Sequence, residues 1–391
     1  MSGATADAGA SGGARACGDA GAPGGADVVR TAAEAAAAAR EPLLVLEPLE
    51  AFLDAAGLGS GPLAVAPIGD GHSNVTYAIA RGGERFVLRR PPRGPLPPSA
   101  HDVVREARLL RALAPTGVHV PEVLAVCEQA QVIGAPFYVM PFVAGEVLGE
   151  RLPPALADAG AAARRAVAEE LVDALVALHA VDVDDAGLAA FGRADGFLER
   201  QLRRFRGLLE HNATRPLPEL ERVADWLAEQ RPPSGAATVV HGDYRLGNVL
   251  FDVPGAGARG ADTLPRLAAV LDWELATIGD PLADVGYLTA MWADPDDARD
   301  PMLDLSAVTR QPGFPDRAAL ALRYAQRSGR DLAALPWYQV LALWRAAIFL
   351  EGSYRRYRAG TTGDRYFARL EQGVPLLARR ALALAGAGRR Q

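Results

Sequence analysis

Lysine is absent from this chain of 391 residues, so all of its strongly basic side chains are arginines. A contact that other proteins make with a lysine ammonium must here be made by a guanidinium, which is planar and donates hydrogen bonds in a fixed fork. The sequence is also rich in Ala and Gly, so we attribute the absence of lysine to coding bias rather than to function. It still changes the geometry that we expect wherever a phosphate is bound.

Cysteine and long apolar runs are scarce too. Cys17 and Cys127 are the two cysteines, and they lack CxxC spacing, which excludes a disulfide framework and a cysteine-rich zinc site. The sequence has no uninterrupted run of about eighteen apolar residues. Its N-terminus lacks the basic start and apolar core of a secretory signal. The sequence therefore predicts a soluble, cytoplasmic protein with no membrane partner.

Strong net charge is missing as well. The formal net charge is −6 and the isoelectric point is about 5.6, which argues against a general polyanion-binding protein, so we expect no nucleic-acid partner. Half of the residues are apolar, and the length is sufficient for two lobes or domains. We expect a globular enzyme, whose oligomeric state the sequence does not predict.

The first 143 residues predict a tail followed by a small lobe. Residues 1–40 consist largely of Ala, Gly, Asp and Ser, which favours a disordered tail. Residues 41–143 then begin with a short helix from Leu43 and continue with three β-rich runs, the first two separated by a Gly-rich loop. Two further β-like runs follow Val120, so we expect a five-stranded antiparallel sheet.

One helix is expected in this small lobe, with Ser99 as its N-cap and Leu113 near its end. Its apolar stripe is flanked by Glu106, a carboxylate that needs a partner. On the third strand, alternation places Val87 and Arg89 on one face and Phe86 with Leu88 on the other.

Residues 144–391 predict a larger, mainly helical lobe. Apolar residues recur with a period near 3.6 from Val167 to Leu178. Further helices are expected near 196–211, 219–230, 315–328, 336–358 and 364–385. Short apolar strands precede two polar loops among them. This α+β, bilobal layout is typical of a protein-kinase-like fold.

The two polar loops carry the residues of a metal-assisted phosphoryl-transfer site. They lie in HGDYRLGNVLFD, which begins at His241, and in VLDWELATIGDPLADVGYL, which contains Asp272. The first supplies Asp243, and Asn248 follows five residues later. In such a site one carboxylate orients a hydroxyl, while an amide and a second carboxylate hold Mg²⁺.

These motifs resemble the aminoglycoside phosphotransferase/choline kinase-like family over about residues 60–360. The resemblance implies that Asp243 is the catalytic base and that Asn248 and Asp272 are Mg²⁺ ligands. It further implies that His241 holds the loop against the metal-binding segment, with direct catalysis by His241 as the alternative. Asp280 and Asp284, which begin a helix, are interpreted as caps that also support the catalytic loop.

The resemblance extends to the nucleotide site, where ATP is the expected cosubstrate. Gly69, Gly71 and Ser73 would cover the phosphates with backbone N–H groups. Arg89 stands where the family has a strand-three lysine, and Glu106 resembles its helix partner. We expect Arg89 to keep the lysine's contacts with the phosphates and with Glu106, but with a different hydrogen-bond geometry. Adenine is expected against Val87 and the segment from Met140 to Val143. The sequence does not distinguish ATP from GTP.

The acceptor is expected to be a small molecule with a hydroxyl group. Residues 301–391 contain 15 Arg and 6 Asp or Glu, a local charge of +9, so the first 300 residues carry −15. The positive charge of residues 301–391 favours an anionic or neutral acceptor over a polycationic aminoglycoside. Five arginines near aromatic residues are candidates to bind it: Arg323, Arg327, Arg345, Arg355 and Arg356.

VLRRPPRGPLPPSAHDVVREARLL and APFYVMPFVAGEVL resemble a branch of the family in which the kinase-like domain is fused to an acyl-CoA dehydrogenase. That branch favours a hydroxyacyl group or its coenzyme A thioester as acceptor. Aminoglycoside phosphorylation and a catalytically silent nucleotide-binding module are the alternatives. A protein kinase is disfavoured because GDPLAD follows Asp272 almost at once.

Overall fold

A computed structural model describes residues 27–69, 74–94, 101–254, 264–360 and 365–387. The strands are β1 (Val28–Val29), β2 (Leu44–Val45), β3 (Ala64–Ile68), β4 (Val75–Arg81), β5 (Glu84–Arg90), β6 (Ala125–Cys127), β7 (Phe137–Pro141), β8 (Glu146–Val147), β9 (Thr238–Val240), β10 (Val249–Asp252), β11 (Arg266–Val270) and β12 (Thr277–Gly279). The helices are α1 (Ala32–Ala37), α2 (Leu46–Ala55), α3 (Val103–Leu113), α4 (Pro154–Asp158), α5 (Gly160–His179), α6 (Phe197–Asn212), α7 (Pro218–Glu229), α8 (Leu282–Met291), α9 (Pro301–Asp304), α10 (Arg317–Ser328), α11 (Leu335–Arg358) and α12 (Leu370–Ala387).

The five-stranded antiparallel sheet is confirmed, in the order β3-β4-β5-β7-β6. The two faces of β5 bury different side chains, as alternation predicts. Phe86 and Leu88 belong to an apolar cluster with α2, whereas Val87 packs with Val103 and Ala107 of α3. Arg89 is on the α3 side of the sheet, and this side faces the two polar loops.

Order begins earlier than the composition predicts. The expected disordered tail through residue 40 is wrong for residues 27–40, while residues 1–26 lie outside the described part of the chain. Strand β1 pairs in parallel with β2, and Thr31 caps α1 through a capping box with Glu34. The Asp27 carboxylate accepts hydrogen bonds of 2.6 Å from Arg40 and 2.5 Å from Arg93. These local polar contacts order a segment that has little apolar surface to bury.

Helix α3 begins at Val103 and not next to Ser99, which lies outside the described residues. Its N-cap is Asp102, whose carboxylate accepts a hydrogen bond from the Arg105 amide at 2.9 Å. His101 precedes this cap with a left-handed φ of 59°. The sharp change of direction at His101 sets the first residue of the helix.

The larger lobe packs around α11, which lies against α8 and α12. The approach to α8 is close because Gly286 faces the backbone of Tyr338; a Cβ at Gly286 would lie 2.7 Å from the Tyr338 carbonyl carbon. The helices expected over 196–211, 219–230, 315–328 and 336–358 are confirmed within two residues. The one expected over 364–385 is the 3-10 turn Arg365–Arg369 followed by α12.

Two small antiparallel sheets hold the polar loops: β9 pairs with β12, and β10 pairs with both β11 and β8. The two- and three-residue strands β8 and β12 escape prediction because periodicity needs a longer run. Among the helices of the described residues, none is long and apolar enough to cross a membrane.

Candidate active site

The loop after β9 is pressed against the segment after β11. Gly242 has a φ of 87°, and a Cβ there would lie 2.8 Å from the Leu275 carbonyl oxygen. Only glycine combines this left-handed conformation with so close an approach. The close approach brings Asp243 to the same side of the molecule as Asp272.

His241 is completely buried, and both of its ring nitrogens are engaged. Nε2 lies 2.8 Å from the Leu271 carbonyl oxygen, and the Asp243 amide lies 3.2 Å from Nδ1. Because a carbonyl only accepts and an amide N–H only donates, the proton is on Nε2. Neither nitrogen is left for an acceptor hydroxyl, so this geometry favours a positioning role for His241 over proton transfer.

Asp284 is fully buried at the start of α8, and its carboxylate binds the loop that carries Asp243. Its carboxylate accepts hydrogen bonds from the backbone N–H groups of His241, at 2.7 Å, and Gly242, at 2.8 Å. His179 Nε2 lies 3.3 Å from the same group. Burial raises the pKa of Asp284, but the donors, His179 first among them, outweigh this effect and hold that pKa below its ordinary value.

Asn248 is tied to Asp243 through its amide nitrogen. Nδ2 donates to the Asp243 carbonyl oxygen at 2.8 Å and to Asp243 Oδ2 at 2.7 Å. These two acceptors fix the orientation of the amide, so Asn248 Oδ1 points elsewhere. The Leu271 amide donates to the Asn248 carbonyl oxygen at 2.8 Å, which places Asn248 beside the segment that carries Asp272.

Asp272 joins the two lobes. Its backbone is left-handed, with φ 64° and ψ 61°, and its side chain is 33% exposed. Asp272 Oδ1 lies 2.5 Å from Arg89 Nη2, on strand β5 of the small lobe. Asp272, a predicted metal ligand of the large lobe, therefore meets the predicted phosphate-binding arginine.

Arg89 is the centre of this contact and is itself well buried. Its Nε donates to Glu106 at 3.1 Å, and Glu106 also accepts from the Tyr138 hydroxyl at 3.2 Å. Glu106 is 3% exposed, so the predicted need for a partner is met by Arg89. Burial lowers the pKa of Arg89, but Glu106 and the other neighbouring acids outweigh it and raise that pKa, so the guanidinium remains charged.

The other residues predicted to bind the nucleotide come from the loop before β4, from β5 and from the segment around β7. Gly69 is the last described residue before this loop and has a φ of 81°, whereas Gly71 and Ser73 lie outside the described residues. Val87 pairs with Met140 across β5 and β7, and both are buried on the α3 side of the sheet. Val143 follows β7 and is partly exposed.

The donor set suits Mg²⁺. Asn248 Oδ1 and the partly exposed carboxylate of Asp272 are hard oxygen ligands, and Mg²⁺ is commonly held by few protein ligands together with phosphate oxygens. No group of three or more His, Cys, Asp and Glu side chains that could hold a metal occurs within the described ranges. Asn248 and Asp272 are thus the residues that would hold the cation.

Sequence reasoning missed four polar residues that border the site. One is Tyr287, whose hydroxyl hydrogen-bonds Asp243. Arg245 Nε lies 3.7 Å from Asp243 Oδ2, and Glu274 Oε2 lies 3.8 Å from Arg89 Nη2. His101 Nδ1 lies 3.9 Å from the same Glu274 oxygen. Arg245 and Glu274 stand two residues after Asp243 and Asp272, so their places within the motifs were a usable signal; His101 offered none.

The candidate acceptor arginines separate into two groups. Arg323 and Arg327 pair with Asp173 of α5, and Arg355 contacts His211 at the end of α6. Arg345 lies beneath the Asp243 loop, with Nη2 3.4 Å from the Gly242 carbonyl oxygen. Arg356 is close enough to His101 to lower the pKa of that histidine.

Comparison with known proteins agrees with this arrangement. Residues 64–338 match the model of a family described as "Phosphotransferase enzyme family". Acyl-CoA dehydrogenase family member 11 of Gallus gallus is 31% identical over 330 residues, which cover 83% of this chain and 41% of that protein. Family member 10 of Mus musculus is 32% identical over 312 residues, which cover 77% of this chain and 27% of that protein. The chain thus spans about two fifths or less of the length of these relatives.

Two solved structures show the same fold. A Ralstonia eutropha protein, provisionally classed as an aminoglycoside phosphotransferase, has a TM-score of 0.72 and 31% identity, covering 87% of this chain and 98% of its own. The aminoglycoside phosphotransferase APH(4)-Ia, solved as a ternary complex with AMP-PNP and hygromycin B, has a TM-score of 0.54 and 18% identity, covering 88% and 99%. The second likeness shows the fold alone. The prediction of a protein-kinase-like phosphotransferase is confirmed: the chain belongs to the phosphotransferase enzyme family.

Proposed function

We propose that this chain is a small-molecule kinase that transfers the γ-phosphate of ATP to a hydroxyl group, with residues 41–143 as the nucleotide-binding lobe and residues 144–391 as the catalytic lobe. The observation that carries the proposal is the meeting of Asp272 with Arg89, 2.5 Å apart, next to the bonded pair Asp243 and Asn248. These groups come from both lobes and provide a base, cation ligands and a phosphate-binding guanidinium in one cleft.

Asp243 is the proposed base. The acceptor oxygen forms a bond to the γ-phosphorus while the bond from that phosphorus to the β–γ bridging oxygen breaks, and ADP departs with that electron pair. The hydroxyl proton passes to the Asp243 carboxylate, which later releases it to solvent. Asn248 and the Tyr287 hydroxyl hydrogen-bond this carboxylate and orient it towards the acceptor.

Asn248 and Asp272 are the proposed ligands of Mg²⁺, which when bound neutralises charge on the phosphate oxygens. Arg89 takes the place of the family's lysine on the phosphates. His241 and Asp284 hold the loop that carries Asp243. Gly69, Gly71 and Ser73 would contact the phosphates, and Val87, Met140 and Val143 the adenine. APH(4)-Ia, which has the same fold, was solved with AMP-PNP bound, and this supports nucleotide binding by the present chain.

An anionic or neutral acceptor is supported by the cations beside Asp243. Arg345 is 8% exposed, and its Cζ lies 4.9 Å from the centroid of the Phe205 ring. It forms no ion pair with a carboxylate in the part of the chain that the structure describes. Its Nε has no hydrogen-bond partner there either. Together with Arg245, this buried cation disfavours a polycationic acceptor close to the base. The names of the relatives support a hydroxyacyl group or its coenzyme A thioester.

Aminoglycoside phosphorylation is the second candidate, favoured by the provisional class of the Ralstonia eutropha protein at 31% identity. A catalytically silent nucleotide-binding module is opposed by the complete set of Asp243, Asn248 and Asp272. The two enzymatic candidates differ in the charge of the acceptor, which an activity screen measures directly.

The test is an ADP-release screen over hydroxyacyl thioesters, free hydroxy acids, neutral alcohols, sugars and aminoglycosides. We expect turnover with an anionic or neutral acceptor, and loss of at least a hundredfold in kcat for Asp243→Asn, which keeps the size of the side chain but cannot take the proton. Asp225→Asn, at an exposed position paired with Arg206, is the matched control. Phosphorylation of aminoglycosides alone would overturn the acceptor assignment, and equal turnover by Asp243→Asn would overturn the assignment of the base.

A further inference from the structure

His101 has an unusual backbone conformation at the mouth of the cleft. Among the described residues, two non-glycine residues have a positive φ: His101 at 59° and Asp272 at 64°. A side chain with a Cβ adopts this conformation at a cost, and such residues concentrate at functional sites. Both residues border the same cleft, since each lies close to Glu274 or Arg89.

The side chain of His101 is held by Asn74, which directly precedes β4. Asn74 is buried, and its Nδ2 donates to Glu106 Oε2 at 3.4 Å, so its Oδ1 faces the other way. His101 Nδ1 lies 3.1 Å from that Oδ1. Because an amide oxygen only accepts, His101 Nδ1 carries a proton and donates it.

The same nitrogen also lies near the metal-binding segment. Nδ1 is 3.9 Å from Glu274 Oε2, beyond hydrogen-bond distance, and Glu274 Oε2 is 3.8 Å from Arg89 Nη2. These residues form a closed cycle of neighbours. It runs from His101 to Asn74, Glu106 and Arg89, and returns to His101 through Glu274. The cycle joins the start of β4, strand β5, the residues around the start of α3, and the 3-10 turn Trp273–Leu275.

The charges in the cycle explain why a neutral histidine is suited to this place. Burial lowers the pKa of His101, and the neighbouring Arg89 and Arg356 lower it further, so the imidazole of His101 is uncharged near neutral pH. Arg89 faces three carboxylates, those of Glu106, Asp272 and Glu274. A neutral donor at His101 leaves this excess of negative charge for a cation to balance.

We propose that His101 is a positioning residue for the nucleotide phosphates and their cation. It serves by donating a hydrogen bond to Asn74, whose amide in turn donates to Glu106, and so holds Arg89 and Asp272 in place. The proposal rests on the proposed function, since it concerns the same cleft. His101 touches the residues that contact the phosphates and not the reacting atoms. Its effect is therefore on the binding of Mg²⁺ with nucleotide.

The test compares three variants of the full chain by calorimetric titration with ADP, with and without Mg²⁺. His101→Gly accepts the left-handed backbone but lacks the side chain, whereas His101→Asn tolerates that backbone and keeps an N–H donor. His211→Asn, at an exposed histidine on α6, is the matched control. We expect His101→Gly to weaken Mg²⁺-dependent ADP binding about tenfold, as for the loss of a hydrogen bond within a charged network, and His101→Asn to recover much of the loss.

Thermal unfolding of the same variants separates positioning from folding. We expect the unfolding midpoint of His101→Gly to stay close to that of the wild type, because glycine removes the backbone cost. Equal Mg²⁺-dependent affinity in the wild type and His101→Gly would overturn the role of His101 while leaving the kinase proposal intact. If the wild type itself bound no nucleotide with Mg²⁺, both proposals would fall. A drop in the midpoint with unchanged affinity would make His101 structural only.

Discussion

At the scale of single residues, Asp284 has the most demanding environment of the acids around the site. It is fully buried, and its oxygens accept hydrogen bonds from two backbone N–H groups and from His179. We predict that Asp284→Asn lowers the free energy of unfolding by about 3 kcal/mol, because an amide replaces one acceptor by a donor where only donors are present. Urea unfolding measures the change. The exposed Asp225→Asn is the control, and a loss no larger than that of the control would contradict the assignment.

The pH dependence of stability is a second prediction for Asp284. Its pKa in the folded protein lies below the ordinary value of 3.8, so its contribution is complete above that pH and disappears as pH falls through the folded value. Burial also lowers the pKa of His179 below 6.5, and Asp284 opposes this shift. Stability therefore falls with pH from about there in the wild type, and falls further in the variant, where the opposing charge is gone. We expect the stability difference between wild type and Asp284→Asn to be constant well above pH 6.5, to widen as pH falls below that value, and to shrink below pH 3.8, as followed by urea titration. A difference independent of pH down to the acid limit would show that the charge of Asp284 does not matter.

The sequence predicted the residues of the site that stand next to apolar runs. Asp243 and Asp272 follow short buried strands and Asn248 directly precedes one, and strand alternation correctly put Arg89 on the face of Val87, towards α3. His101 could not be found in this way, because its backbone reversal and its contact with Asn74 depend on loop conformation, which has no periodicity. The pairing of Arg89 with Asp272 is a contact between residues 183 apart in the chain, and only the packing of the lobes determines it.

At the scale of elements, the contact between α8 and α11 depends on a helical glycine. A Cβ at Gly286 would lie 2.6 Å from Tyr338 Cβ, with the Tyr338 backbone almost as near. We predict that Gly286→Ala destabilises the protein by about 2 kcal/mol, since overpacking forces the two helices apart. Because Asp284 is on the same helix, we also expect reduced kcat.

Gly207 provides the matched control, because it lies inside α6 with nothing within 4 Å of a Cβ. We expect Gly207→Ala to stabilise the protein by about 0.5 to 1 kcal/mol through the higher helix propensity of alanine. Chemical unfolding of the two variants should therefore show changes of opposite sign. Two changes of the same sign would mean that helix propensity, and not the approach to Tyr338, governs Gly286.

Element prediction succeeded where a segment was long enough to show its period. The strands of the five-stranded sheet and the long helices α5, α6, α7, α10 and α11 were expected close to where they lie. Residues 27–40 were wrongly expected to be disordered, because their order comes from Asp27 with Arg40 and Arg93 and from the Thr31 cap rather than from apolar burial. The contacts of Asp27 leave no pattern in local composition, whereas the capping box of Thr31 and Glu34 was a usable signal.

At the scale of the whole molecule, the two lobes bring opposite charges together where Arg89 meets Asp272. The small lobe contributes Arg89 and the large lobe contributes Asp243, Asp272 and Glu274. A ligand that carries both phosphates and a divalent cation satisfies both sides at once, whereas either component alone satisfies one. Nucleotide and Mg²⁺ should therefore bind cooperatively and stabilise the folded chain together.

This cooperativity is the last prediction. At about 100 times its dissociation constant, ADP with Mg²⁺ should add about 2.7 kcal/mol to the free energy of unfolding, seen as a rise in the thermal midpoint. ADP with EDTA, or Mg²⁺ alone, should give a much smaller rise, because each leaves one side of the cleft unbalanced. Arg89→Ala should reduce the rise with ADP and Mg²⁺ by removing the phosphate contact, whereas Arg323→Ala, whose guanidinium pairs with Asp173 on α5, should leave it unchanged. Equal stabilisation of the two variants would show that the guanidinium of Arg89 does not bind the phosphates.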